Sequence, residues 1–304
     1  MKGANIWSKI FIKEGRLRPT WRVVAYIPLL LTMIVLFNLP LMVFSIFLGL
    51  PPQSVKLPGL LTYLAAVLAA TCLARRFLDR RALRDLGLRR RPGWLVELAA
   101  GVGLGALLMV LIFAVELAGG WLEIGGFGWQ NAALMTVLSS LGAVFIGHVV
   151  VAVNEELISR GYILQNLAED WGMPVAVAVS SILFGLTHLA NPYADILSTV
   201  SLVLAGVFLA VGYLVTRSLW LPIALHFSWN FFQGPVFGFP VSGGVPSFRL
   251  LQTEVAGPEL ITGGAFGPEG GLLGLGATVL GIGLLWLWGQ RVNRYGEVNR
   301  DDAW

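Results

Sequence analysis

The stretch Asn154-Glu-Glu-Leu-Ile-Ser-Arg-Gly-Tyr162 closes a run, 141–153, that is apolar throughout except for His148. Two adjacent carboxylates at the end of a membrane-compatible helix are expensive to place, so they need partners or a task. Helix geometry separates them: successive residues lie about 100° apart around the axis, so Glu155 and Glu156 cannot face the same way. Arg160 follows Glu156 by four residues, the spacing that brings opposite charges together on one face. Glu156 is therefore expected to pair with Arg160, and Glu155 to point elsewhere.

Composition decides the class of protein around this stretch. Of the 304 residues 56% are hydrophobic and only 12% charged, with a mean hydropathy of +0.76. A soluble domain carries roughly 25% charged residues, so the chain reads as an all-α polytopic membrane protein. The pI near 9.5 does not indicate nucleic acid, because the arginines cluster beside apolar spans, which is a topology signal. The single Cys72 lies in an apolar run and excludes a disulfide framework. The first apolar run is too long for a signal-peptide core.

Residues 4–18 place Lys9, Lys13 and Arg16 on one helical side and Ile6, Ile10 and Leu17 on the other, the pattern of an interfacial amphipathic helix. About eight spans follow by run length: 21–49, 58–74, 94–118, 132–153, 173–189, 196–215, 218–233 and 271–289. The loop from Arg75 to Arg91 holds eight arginines and two aspartates, which places it in the cytoplasm. Alternation then puts both termini in the cytoplasm of a plasma or inner membrane. Three regions result: 1–131, with the amphipathic segment and three spans; 132–234, the core; and 235–304, an outer loop, the last span and a tail. The glycine-rich segment 234–270 is expected to be a solvated outer loop. Gly101, Gly103, Gly105, Gly270 and Gly274 are expected to serve close helix packing.

The remaining polar residues within apolar surroundings carry the functional signal. His188 ends the fifth span, and His226 and Asn230 share a face of the seventh at four-residue spacing. With Glu155 they supply four polar side chains on three helices, the content of a buried polar cluster in the helical core. His148, seven residues before Glu155, is read as a packing residue. Glu97, Glu116 and Asp195 are read as solvated at the interface. His-Glu-x-x-His and Gly-x-Ser-x-Gly are absent, and no cysteine stands near a histidine. A carboxylate with imidazoles suits activation of water.

Glu155-Glu156-x-x-x-Arg160, Phe184-x-x-x-His188 and His226-x-x-x-Asn230 together resemble the CPBP family of intramembrane proteases. That family includes CAAX-processing Rce1-type endopeptidases and lysostaphin-resistance and bacteriocin-immunity-like proteins. The resemblance covers residues 132–234 and implies an endopeptidase. In that scheme Glu155 and His188 activate the attacking water, and His226 and Asn230 stabilise the oxyanion. Glu156 and Arg160 support the site. The implied substrate is a membrane-associated peptide or lipidated protein, including a prenylated CAAX peptide, at the lipid bilayer and without nucleic acid.

Two histidines and a glutamate (Glu155, His188, His226) also match a zinc site with an open position. A metal-free reaction is favoured, because asparagine is a poor zinc ligand and a good oxyanion donor. The rivals from other classes are a non-catalytic immunity or scaffold protein and a transporter with a proton relay; no internal repeat supports the latter. Counting along straight helices puts Glu155 and His188 at different depths, so a broken, tilted or shortened helix is expected, with Gly161 and Pro174 as candidate breaks.

Overall fold

A computed structural model describes residues 10–13 and 15–297, with side chains as far as Arg291. The fold is mostly helical, and among the described residues six helical stretches are long and apolar enough to cross a membrane: Pro19–Phe47, Pro52–Asp79, Trp94–Ala118, Leu134–Trp171, Ile196–Thr216 and Leu272–Arg291. Two of the eight expected spans are shorter. Met173–Thr187 has 15 residues and Trp220–Phe231 has 12, against about 20 needed to cross the hydrocarbon core. The fourth span does not stop at residue 153. It continues through Glu156 into a π-helical turn, Leu157–Ile163, and on to Trp171.

We label the helices α1 (Pro19–Phe47), α2 (Pro52–Leu73), α3 (Trp94–Ala118), α4 (Leu134–Glu156), α5 (Leu164–Trp171), α6 (Met173–Thr187), α7 (Ile196–Thr216), α8 (Trp220–Phe231), α9 (Glu259–Thr262) and α10 (Leu272–Glu297). The chain forms two compact units. One holds the described residues up to Arg90 with Val149–Ser180, and the other holds Arg91–His148 with the described residues from Ser181 onward.

In the first unit, Tyr26, Ala70, Ala74 and Tyr162 form a core, with the two tyrosine rings 4.1 Å apart. The Tyr26 and Thr71 hydroxyls lie 2.8 Å apart in a hydrogen bond. Asp79, fully buried, receives Arg75 at 2.8 Å and the Tyr162 hydroxyl at 3.3 Å, with Arg22 at 3.8 Å. A buried carboxylate so surrounded is compensated rather than left as an isolated charge. Of the residues expected to form an amphipathic helix, 4–9 and 14 lie outside the described residues. In the described part residues 10 and 11 are helical, and the helix gives way to a small hairpin in which β1 (Ile12–Lys13) pairs antiparallel with β2 (Arg16–Leu17) around Gly15 (φ 72°). Lys13 reaches Asp170 at the end of α5, so a cation that the helical reading sends toward lipid headgroups is engaged by protein.

The second unit is built on α3 against α8. An added Cβ at Gly101 would lie 2.7 Å from the Leu221 carbonyl oxygen and 2.8 Å from the Ala224 Cβ. One turn later, a Cβ at Gly105 would lie 2.9 Å from the Ser228 Cβ. The two glycines therefore let the helix backbones touch, as expected of small-residue faces. Gly103 meets nothing within 4 Å and serves no such contact. The Ser228 hydroxyl donates to the Val102 carbonyl at 2.7 Å, which fixes α8 in register. Leu108, Met109, Ile112, Phe208, Leu221, Leu225 and Trp229 fill the core around this crossing.

Segment 234–270 is not a solvated loop. Strand β4 (Leu251–Val255) pairs antiparallel with β3 (Leu122–Phe127), while Phe239 and Phe266 are buried. The apolar residues of this segment fold onto the unit because its many glycines permit tight turns that pack without side chains. An added Cβ at Gly274, for example, would overlap the carbonyl oxygen of Pro268. Gly274 thus seats a turn rather than a second helix, and Gly270 packs against the Phe266 ring. Asp195 is exposed, as expected of an interfacial residue, and it also caps α7, accepting from the Ser198 amide at 2.7 Å. Glu116 is fully buried, and neither carboxylate oxygen has a hydrogen-bond partner among the described residues. Glu97 is half-buried, and its Oε2 is enclosed without a hydrogen bond.

Candidate active site

The motif stretch is held in the first unit as its spacing requires. Arg160 donates to Glu156 Oε1 at 2.8 Å, with both side chains almost wholly buried. The pair spans the start of the π-helical turn, and Gly161 lies within that turn. Such turns add a residue to the helix and reorient the side chains before and after them. Tyr162 closes the motif by donating to Asp79, and Asn166 and Gln165 bond the carbonyls of Tyr162 and Arg160. Glu155 is half-buried, with Tyr63 of α2 in electrostatic interaction with it. Tyr63 and the buried Asn154 beside Glu155 carry no spacing signal that could have singled them out. Helix α6 begins after Gly172 (φ 76°), so the chain breaks at this glycine, just before Pro174.

The histidines belong to the second unit. The His188 Nδ1 lies 2.8 Å from the Phe184 carbonyl oxygen, one turn earlier. A carbonyl only accepts, so Nδ1 is the donor in this bond. The Phe184 ring packs against two imidazoles, its centroid 5.0 Å from that of His188 and 6.1 Å from that of His226. Thus the Phe184-x-x-x-His188 spacing does two things at once: the Phe184 carbonyl accepts from His188 Nδ1, and its ring packs against both histidines.

His226 is buried on α8, and Asn230 follows it by one turn, half-buried at the end of the same face. The Gly101 and Gly105 contacts with α3 fix where that face sits. His148 also belongs to this unit. Its Nδ1 donates to the Val144 carbonyl at 2.6 Å, its ring packs on Phe231, and it interacts electrostatically with His226.

One further acid stands with the histidines. Glu269 is 7% exposed, interacts electrostatically with His188 and His226, and accepts from the Ser242 amide and hydroxyl at 2.8 and 2.6 Å. Burial pushes its carboxyl above the ordinary glutamate range. Its sequence neighbourhood, Gly-Pro-Glu-Gly-Gly, reads as a turn, and nothing local ties it to residue 188 or 226. Among the described residues, no group of three or more histidine, cysteine, aspartate or glutamate side chains is placed to hold a metal ion.

These features define an integral membrane protein of packed helices, with two imidazoles and a buried glutamate brought together in its second unit. Residues 136–232 match the family model described as type II CAAX prenyl endopeptidase Rce1-like. The matched segment contains Glu155, Glu156, Arg160, His188, His226 and Asn230 and ends before Glu269. Neither the curated proteins nor the solved structures gave a match.

Proposed function

We propose that the protein is an intramembrane endopeptidase that hydrolyses a peptide bond of a membrane-associated substrate, a prenylated CAAX-type peptide among the candidates. The observation that carries this reading is His188. Within the matched domain, its Nδ1 donates to the Phe184 carbonyl, which orients the ring; in the neutral imidazole Nε2 is the atom that takes a proton from water. Glu155 and His188 take the proton of the attacking water. The oxygen of that water then adds to the scissile carbonyl carbon. His226 and Asn230, one turn apart, donate to the oxyanion that develops; such preorganised donors are worth about 3 kcal/mol each. The proton held by the base passes to the leaving amine as the tetrahedral intermediate collapses. Glu156 and Arg160, paired and buried, keep the motif helix in register.

In this reading both termini lie in the cytoplasm, which the even number of long apolar helices permits. The test is cleavage of membrane-anchored reporter peptides, prenylated and not, in liposomes by wild type, Glu155→Ala and His188→Ala, each with and without a chelator. Cleavage lost in both variants at unchanged folding supports the reading, and chelator resistance supports its metal-free form. A wild type that cuts nothing while both variants still function in cells would establish a scaffold instead.

A further inference from the structure

Segment 234–270 meets the helix that carries His188 at two facing turns. On one side, the Asn191 amide donates to the His188 carbonyl at 3.0 Å, and Tyr193 adopts φ 60°. On the other, Val241 and Gly244 bridge a tight turn whose central residues, Ser242 and Gly243, have φ 45° and 80°. Side chains disfavour this region of backbone space, so two non-glycine residues held there on facing turns signal a junction that its surroundings over-determine. The junction is close: a Cβ at Gly243 would overlap the Pro192 carbonyl oxygen.

Hydrogen bonds run continuously across this junction. The Asn191 side-chain amide donates to the Ser242 carbonyl at 3.0 Å. The amide and hydroxyl of Ser242 both donate to Glu269 Oε2. The Gly243 amide donates to the Phe266 carbonyl at 2.8 Å, and Gln233 Nε2 to the Pro240 carbonyl at 2.6 Å. The last bond ties the segment to the chain three residues after Asn230.

We propose that Glu269 is a positioning residue for His188: through Ser242 and Asn191 it fixes the turn that ends the His188 helix, making the outer segment a fixed part of the catalytic unit rather than a lid. The electrostatic interaction of Glu269 with both histidines agrees with this placement. The proposal deepens the proteolytic reading, and its kinetic arm rests on that reading. Its structural arm does not.

The test compares wild type with Glu269→Ala, Glu269→Gln and Ser242→Ala in nanodiscs. With only three histidines in the chain, ring-labelled imidazole resonances are assigned by single His→Gln substitutions. The expected result is that Glu269→Ala shifts or broadens the His188 signal and leaves that of His148 in place. Glu269→Gln, whose amide oxygen still accepts from Ser242, restores it. Turnover by Glu269→Ala should fall about 10- to 100-fold at little change in KM, the size of effect that misplacing a reacting group produces, and Glu269→Gln should recover most of it. Ser242→Ala, which removes one of the two bonds, should give a partial shift and serves where Glu269→Ala does not fold. An unmoved His188 signal in folded Glu269→Ala, or in Ser242→Ala where that variant stands in, overturns the proposal. So does a signal that Glu269→Gln fails to restore. If wild type cleaves no reporter, the proteolytic reading fails while the resonance arm still decides the positioning role.

Discussion

Adding one methyl group at Gly105 tests whether the α3–α8 contact sets the geometry of the histidine site. The new Cβ would lie 2.9 Å from both the Ser228 Cβ and the Trp229 amide nitrogen, and 3.0 Å from the Leu225 carbonyl oxygen. Carbon atoms settle at about 3.5–4.0 Å, so the two helices must part by roughly 0.6–1 Å. None of the three neighbours is the flexible end of a side chain, so the strain falls on the helix axes. Overpacking of this kind costs about 1–3 kcal/mol. His226 is two residues before Ser228, and a displacement near 1 Å at a reacting group lowers turnover by up to about 100-fold. Gly105→Ala should therefore lower both thermal stability in detergent and turnover of the reporter peptide. Gly103→Ala supplies the control within the same helix: nothing lies within 4 Å of its Cβ, and alanine is the better helix former. Wild-type stability and activity in Gly105→Ala, or equal damage from Gly103→Ala, would refute the reasoning.

Other substitutions probe the buried charges. Arg160→Met leaves the Glu156 carboxylate enclosed without its guanidinium and should destabilise by about 3–5 kcal/mol, whereas Glu156→Gln/Arg160→Met together should cost much less; a double-mutant cycle by thermal unfolding measures the difference. Glu116→Met should raise the melting temperature, because it removes a buried carboxylate whose oxygens have no hydrogen-bond partner among the described residues, a defect worth about 1–3 kcal/mol; a lower melting temperature would show that the carboxylate is compensated. Asp195→Ala should cost about 0.5–2 kcal/mol through loss of the α7 cap. The Ser198 amide and hydroxyl hold the Asp195 carboxyl below its ordinary range. That stabilisation is present above the ordinary aspartate value near pH 4 and is lost as pH falls through the lowered folded value. Acid titration of unfolding should thus lose this step in the variant.

What could be read from the chain alone is what depends on neighbours a few residues apart. The Glu156–Arg160 pair, the shared face of His226 and Asn230, and the close-packing faces of Gly101 and Gly105 all follow from the helical repeat. Apolar run length likewise located the six long helices. Run length did not reveal that α6 stops at 15 residues, or that α8, 12 residues long, passes into a π-helical segment at Phe232–Val236, because apolar residues flank both helices. Nor did it show that the motif helix passes through a π-turn, since that extra residue is absorbed by packing around Tyr162 and Asp79.

The larger gap concerns segment 234–270. By composition it is a glycine-rich loop, and Glu269 within it has no periodic partner. Its fold is decided by bonds between residues far apart in the chain: β3 with β4, Asn191 with Ser242, and Ser242 with Glu269. Each such contact has to outweigh the entropy of closing a long loop, and local pattern carries no record of which distant surface supplies that energy. The sequence by itself determined a helical membrane protein, its motif residues and their faces. Only the tertiary structure decided what surrounds the histidines, because an acid buried by a distant turn is indistinguishable, in sequence, from one left in water.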